Sequence, residues 1–292
     1  MIVQRYDTAL YVRSSWFRGN LDKVVRLRVG AGPIDFIQER LISGAVAPAS
    51  TISAFSASTA LIRSGADEAP PAHIDGDWRG GNHPASVDYE CTIWLDGKPL
   101  AAPRGAWTGV QLDISETYAI PTEAAIDAGK SEPARASVAI SRKFGADGFC
   151  RFGYSLTALR QLTLDYINGM QLFKPNVTAN QSLKLFVPKS NLKNGVTVTS
   201  EAQQRLCPST DWDSASVPPD LFEYRVMLGN APQFGVVMAF NTGQVRGTPT
   251  TAFERSAAAK FYPRGYEGPL TMTPGMSRSV SGYFGSYNLI GS

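Results

Sequence analysis

The stretch "DYECTIWLDGKPL", Asp88 to Leu100, decides how the rest of the chain is read. Tyr89, Cys91, Ile93 and Leu95 fall on alternate positions, so an extended backbone puts all four on one face. Asp96 and Gly97 follow, and both accept the positive φ that a tight two-residue hairpin turn demands. The segment is expected to form a β-hairpin. "ASVAISRKFGADGFCRFGYSLTAL", Ala136 to Leu159, repeats the logic with two alternating runs joined at Asp147-Gly148, a second hairpin.

The same period extends outward in both directions. "KVVRLRV" (Lys23 to Val29) alternates like a half-buried strand, and "IDFIQERLI" (Ile34 to Ile42) reads as a strand or a short helix. Further on, "SLKLFVP", "GVTVTSE", "FEYRVML" and "FGVVMAFN" are short, rich in Val, Phe, Leu or Thr, and separated by Asn-Gly, Pro-Pro and Gly-Asn breaks. Many short strands with turns between them describe a mainly β protein, a large antiparallel β-sandwich of jelly-roll or supersandwich type. One or two short helices are expected beside it. The candidate is "TAFERSAAAKF", where Thr251 stands three residues before Glu254 in a capping-box pattern. "SEPARAS" and "CPSTDWDSASVPPD" read as loops. Residues 1–292 are expected to form a single domain, with a split near residue 130 as the alternative.

Composition agrees with this class. Hydrophobic residues make up 43% of the 292, enough for a sizeable core, while 27 Gly, 19 Pro and only 18% charged residues leave little material for surface helices. The balance of 28 Lys plus Arg against 25 Asp plus Glu gives a net +3, too weak to point to nucleic acid. Cys91, Cys150 and Cys207 are too scattered for a disulfide framework or a zinc site, and Cys91 and Cys150, each alternating with apolar neighbours, are expected to be buried free thiols. The amino terminus lacks the continuous apolar core of a secretory signal, and no apolar run nears the roughly 20 residues that span a bilayer. The expectation is a soluble chain with no membrane partner. It is either cytoplasmic or carried outside the cell or on a virion without a cleavable signal.

Several chemistries fail on residue type. Gly30-Ala31-Gly32 lacks the third glycine and the later acidic residue of a dinucleotide fingerprint. There is no Walker sequence, no H-E-x-x-H, no G-x-S-x-G and no EF-hand loop, and two histidines cannot build a three-histidine metal site. Asp211 and Asp213 could offer calcium two carboxylates, but such a loop is more often just solvated, so no cofactor is expected.

What survives is "HIDGDWRGGNHPASVDYE", His73 to Glu90. Asn82 and His83 follow two glycines and precede Pro84, a tight loop that delivers both side chains to one place. Arg79 offers a planar fork of donors suited to a carboxylate, and histidine titrates near neutrality. This is the equipment for β-elimination on a uronic acid. Arg79 and Asn82 would hold the sugar carboxylate, His83 would remove the adjacent proton, and Tyr262 or Tyr89 would protonate the leaving oxygen. Trp78 would stack on a sugar ring or lie buried under the loop. The plain alternative is an ordinary polar surface loop, with Asp75 and Asp77 making a turn around Gly76.

A second set lies in "KFYPRGYEG". If that segment is extended, Lys260, Tyr262, Arg264 and Tyr266 share one face, suited to an anionic sugar polymer. The same pattern also suits an edge strand guarded by its charges.

The pieces "SGADEAPP", "IDGDWRGGNHPASVDYECTIWLDGKPL", "KFGADGFCRFGYSLTAL", "YINGMQ" and "AKFYPRGYEG" resemble a group of bacterial and phage β-rich proteins built around a Gly-Asn-His loop and a D-G-K hairpin. The alternation around the two Asp-Gly turns is similar to that of sugar-acting β-sandwiches, including the galactose-mutarotase-like supersandwich. The resemblance covers scattered pieces of residues 60 to 270 and implies handling of polysaccharide. Where such relatives read Gly-Asn-His-Gly, this chain has Pro84, which stiffens the loop.

Three classes of function follow. The first is a lyase on an acidic polysaccharide, or in its place a glycoside hydrolase, for which Glu90, Glu223, Glu254 and Glu267 supply carboxylates without fixing a pair. The second is a carbohydrate-binding module or receptor-binding protein. The third is a virion structural protein that packs as a homo-oligomer.

Overall fold

The computed structural model describes residues 1–14, 21–30, 32–34, 36–43, 51–56, 61–64, 78–79, 87–130, 132–168, 171–175, 183–188, 201–205, 215–217, 223–228, 234–240, 250–255, 258–262 and 264–288. They form 24 strands and one helix. The first strands are β1 (Ile2–Tyr6), β2 (Ala9–Ser14), β3 (Leu21–Arg28), β4 (Phe36–Ser43), β5 (Thr51–Ser56), β6 (Leu61–Ser64) and β7 (Trp78–Arg79). Then come β8 (Val87–Leu95), β9 (Lys98–Pro99), β10 (Arg104–Thr108), β11 (Gln111–Pro121), α1 (Glu123–Asp127), β12 (Ala134–Gly145) and β13 (Cys150–Ala158). The next group is β14 (Leu162–Asn168), β15 (Gln171–Pro175), β16 (Leu183–Pro188), β17 (Glu201–Arg205), β18 (Ala215–Val217) and β19 (Glu223–Leu228). The last are β20 (Phe234–Phe240), β21 (Thr250–Arg255), β22 (Ala258–Tyr262), β23 (Arg264–Met272) and β24 (Ser277–Asn288).

The strands make three antiparallel sheets. Sheet one has the order β10-β1-β2-β3-β4-β5-β15-β22-β21-β18, and sheet two β17-β16-β19-β20-β24-β13-β12-β11-β8-β9. A third sheet of four strands runs β23-β14-β6-β7. One core cluster joins the two large sheets, with Val3, Leu10, Val12, Val25 and Leu27 from sheet one and Ile93, Leu112, Ile114, Val138, Ile140 and Phe152 from sheet two. Each such side chain contributes roughly 1.5–3 kcal/mol through burial, so alternation along the strands is what holds the sandwich closed. β11 and β12, on either side of residue 130, pair along nearly their whole length.

Both expected hairpins form. Asp96 and Gly97 have φ of 50° and 74° between β8 and β9, and Gly148 has φ of 70° between β12 and β13. A Cβ at Gly148 would stand 2.7 Å from Lys23 Cε and from Ser14 Oγ, so glycine also lets sheet one approach there. Lys23 is fully buried, with its Nζ 4.9 Å from the centre of the Phe149 ring. From Phe36 onward "IDFIQERLI" is a strand, β4.

The structure corrects three local expectations. "TAFERSAAAKF" is not a helix but the β21–β22 hairpin, with β22 also paired to β15 and β21 to β18. Partner strands on both sides satisfy its backbone, and that tertiary pairing overrides the weak helical preference of three alanines. The helix that forms, α1, is capped by Thr122, whose Oγ1 accepts a hydrogen bond from the Ala125 amide at 3.2 Å. "SEPARAS" is strand from Ala134 onward, and "CPSTDWDSASVPPD" contains β18. Cys207, Asp211, Asp213 and residues 195–200 of "GVTVTSE" lie outside the described residues. Among the described residues no helix is long and apolar enough to cross a membrane.

Candidate functional site

The side of sheet two that faces away from the core is built by register. Trp94 of β8 sits opposite Asp113 of β11, Asp113 opposite Lys143 of β12, Lys143 opposite Arg151 of β13, and Arg151 opposite Tyr283 of β24. These five positions form one cross-strand row, four strand spacings of ~4.8 Å long. The neighbouring row is Thr92, Ser115, Ser141, Gly153 and Ser281, almost entirely hydroxyl-bearing. Beyond it Ser279 donates to Ser155 Oγ at 3.3 Å, and the Thr157 and Ser277 hydroxyls lie 2.7 Å apart. The face thus has an indole at one end, a phenol at the other, and hydroxyls and charges between them.

Trp94 is 39% exposed, which leaves its indole accessible beside the hydroxyl-bearing row. Beside it a cavity of about 340 Å³ is lined by Trp94, Asp113, Ser115, Ser141 and Lys143. Both cations of the row stand next to carboxylates. Lys143 Nζ lies 3.6 Å from Asp113 Oδ1, while Asp113 Oδ2 accepts from Gln111 Nε2 at 2.7 Å. Arg151 grips Asp147 with both terminal nitrogens, Nη1 at 3.2 Å from Oδ1. Burial pushes the Asp147 carboxyl up, but hydrogen bonds from Arg151 and the Phe149 amide outweigh it and hold the group below its ordinary value. Phe149 meets the Tyr283 ring edge to face at 6.1 Å.

On the core side of the same strands lies a buried ion pair, Glu116 with Arg142, both fully enclosed. Glu116 Oε1 also accepts from the Ile34 amide at 2.8 Å and from the Tyr89 hydroxyl at 2.9 Å. Burial raises the Tyr89 phenol above its usual range, and Cys91 beside it acts in the same direction. Of the other described cysteines and sites of interest, Cys91 is half-buried and Cys150 buried, both free thiols. A smaller crevice of about 290 Å³, lined by Arg5, Gly30, Cys91, Ile93 and Leu100, opens at the sheet edges.

The residues singled out from sequence are distributed as follows. Tyr89 lies on the core side of β8, bonded to Glu116, and not on the outward face. Trp78 and Arg79 make up β7, opposite Arg63 and Ile62. His73, Asn82 and His83 lie outside the described residues. Lys260 and Tyr262 belong to β22 in sheet one, whereas Arg264 and Tyr266 belong to β23 in the third sheet, so the four do not share a strand. Tyr266, Ile167, Ile62 and Arg79 do occupy one cross-strand row of the third sheet, which joins parts of the two sequence constellations. The row from Trp94 to Tyr283 escaped sequence reading, although the exposed phase of a tryptophan within an alternating strand was its available signal.

Mainly β, with two large antiparallel sheets sharing one core, the molecule is a β-sandwich. It shares that fold with the GH36 α-galactosidase AgaB from Geobacillus stearothermophilus, at 12% identity and a TM-score of 0.50, over 98% of this chain and 41% of that one. An α-galactosidase from Lactobacillus brevis follows at 10% identity and a TM-score of 0.48, covering 97% of this chain and 40% of that one. Galactose 1-epimerase from Lactobacillus acidophilus gives 9% identity and a TM-score of 0.43 over 95% and 98%. The chain spans about 40% of the length of the α-galactosidases it matches. The sequence matches no protein-family profile and no curated protein.

Proposed function

We propose that this protein recognises carbohydrate, and that the outward face of sheet two is its binding surface. The observation that carries the reading is the Trp94–Asp113–Lys143–Arg151–Tyr283 row with its flanking hydroxyls. A sugar ring has an apolar face and a rim of hydroxyls, so it needs an exposed aromatic ring beside a group of donors and acceptors. Trp94 supplies the first, and Asp113, Ser115, Ser141 and Lys143 the second. On this row Lys143 and Arg151 each lie beside a carboxylate, which favours a neutral sugar over a charged one. The α-galactosidase that shares the fold acts on a sugar, in agreement with this reading.

The test is calorimetric titration with a panel of neutral oligosaccharides, against the protein and its Trp94→Ala variant. Binding lost in the variant supports the reading. No binding to any of them, or binding unchanged by the substitution, overturns it.

The finer reading is catalytic: elimination on a uronate polymer, with His83 as base, Arg79 and Asn82 on the carboxylate, and Tyr262 as acid. The shared row of Arg79 and Tyr266 in the third sheet supports grouping part of the two sequence sets, and in this reading Tyr266, Arg264 and Trp78 are sugar contacts, with Lys260, on β22 of sheet one, as a further one that the row does not support. Its test is the ultraviolet absorbance of the unsaturated product from a panel of polyuronates. A signal undiminished by His83→Ala, or no signal, removes it.

A further inference from the structure

The outward face of sheet one carries a different chemistry. Along β1, β2 and β3 the inward positions are the buried Val3, Leu10, Val12, Val25 and Leu27, which turns Gln4, Tyr6, Tyr11, Arg13, Arg26 and Arg28 outward. Register orders these residues. Arg104, Tyr6, Ala9 and Arg28 form one cross-strand row. Ala106, Gln4, Tyr11, Arg26 and Gln38 form the next, and Thr108, Ile2, Arg13, Val24 and Arg40 the third. An arginine therefore recurs in every row.

Only two carboxylates answer them among the described residues. Asp22 pairs with Arg13, and Asp7 takes Arg104 at 2.7 Å. Arg26 and Arg28, two positions apart on β3 and both exposed, have no carboxylate within ion-pair distance among the described residues. The Arg26 guanidinium instead lies over the Tyr11 ring, 6.0 Å from its centre, and Tyr11 meets Tyr6 edge to face at 6.1 Å. Tyr6 is 55% exposed. Two uncommitted guanidinium forks thus stand about 7 Å apart along a strand, next to a pair of accessible phenol rings.

We propose that this face binds an acidic polysaccharide, with Arg26 and Arg28 each holding a sugar carboxylate and Tyr6 and Tyr11 covering the apolar faces of the rings. Planar guanidinium matches carboxylate through two parallel hydrogen bonds, which lysine cannot reproduce. Charge complementarity selects an anion, and the small number of spare cations selects sparse carboxylates. A nucleic-acid backbone is held by many cations at once, and the whole chain carries a net charge of only +3. The site lies on the opposite side of the sandwich from Trp94, so the two stand or fall separately.

The experiment titrates the full chain with polygalacturonate oligosaccharides, compared with the Arg26→Ala/Arg28→Ala and Arg26→Lys/Arg28→Lys double variants and with Trp94→Ala. Unchanged thermal unfolding shows that each variant is folded. Expected are a loss of about tenfold or more in affinity for the alanine variant, partial recovery for the lysine variant, and no change for Trp94→Ala. Affinity unchanged in the alanine variant, no binding at all, or equal affinity for a single-stranded oligonucleotide of matched charge would overturn the proposal. Neutral oligosaccharides run in parallel report on the Trp94 face, so a failure here is distinct from a failure there.

Discussion

The two outward faces of the sandwich start from the same backbone pattern and end with opposite electrostatics. On sheet two, Lys143 lies against Asp113 and Arg151 against Asp147, and the neighbouring described row is mostly serine and threonine beside the exposed Trp94. On sheet one, arginines recur row after row, and Arg26 and Arg28 are left over. The inward positions on both sheets are mostly apolar, aliphatic on sheet one and aliphatic with Phe and Tyr on sheet two. Core packing constrains only one side of each strand, so the other side is free to diverge. The physics of the fold therefore says little about ligands, and the exposed alternation says a good deal.

The largest expected effect erases the comparison altogether. Removing one half of the buried Glu116–Arg142 pair, as in Glu116→Leu, leaves a fully enclosed charge and should cost about 3–5 kcal/mol. Urea unfolding would register this as a lower midpoint, with both faces losing ligand together. The double change Glu116→Leu/Arg142→Met should recover most of the loss. If the single and double variants are equally unstable, the pair is not the cause.

Next comes Trp94→Ala, which should weaken neutral-sugar binding by roughly tenfold or more, as expected for loss of a stacked ring, and leave polygalacturonate binding as it was. Calorimetry with the two ligands in turn would show whether the faces are independent. A smaller effect should convert one face toward the other. Asp113→Asn with Asp147→Asn uncovers Lys143 and Arg151, and in an Arg26→Ala/Arg28→Ala background it should restore measurable, salt-sensitive polygalacturonate binding. A flat titration there would show that uncovered charge is not enough.

The smallest effect is acid dependence. The folded-state value of Asp147 is depressed, so its contribution is fully present above the ordinary carboxylate value and is lost as pH falls through the folded value. Thermal midpoints of the wild type and of Asp147→Asn should converge on acidification and separate toward neutrality. Parallel curves across the acid range would remove Asp147 from the account.

Local pattern made much of the sandwich legible. The Asp96-Gly97 and Asp147-Gly148 turns and the alternation in the strands beside them, β8, β12 and β13, are each written in a short contiguous stretch, and each formed as read. The β21–β22 hairpin was not legible, because Ala258 and Ala259 carry no strand preference and owe their extension to pairing with β21 and with β15, the latter distant in sequence. The row from Trp94 to Tyr283 was hidden for the same reason on a larger scale. Trp94 and Tyr283 meet only through four consecutive registers, none of which composition encodes. Tyr89 illustrates the converse: its strand phase, correctly read, already placed it on the core side with Ile93 and Leu95.

The position of β24 sets a timetable. Ser277–Asn288 lies between β13 and β20 in the middle of sheet two and is paired to both. Until that segment leaves the ribosome, β13 and β20 are bare edges, and the two halves of the sheet have nothing to join them. Such late, long-range closure is slow and exposes unpaired strands while it waits. A chain halted before Ser277 would carry two sticky half-sheets, so β24 works as the clasp between them.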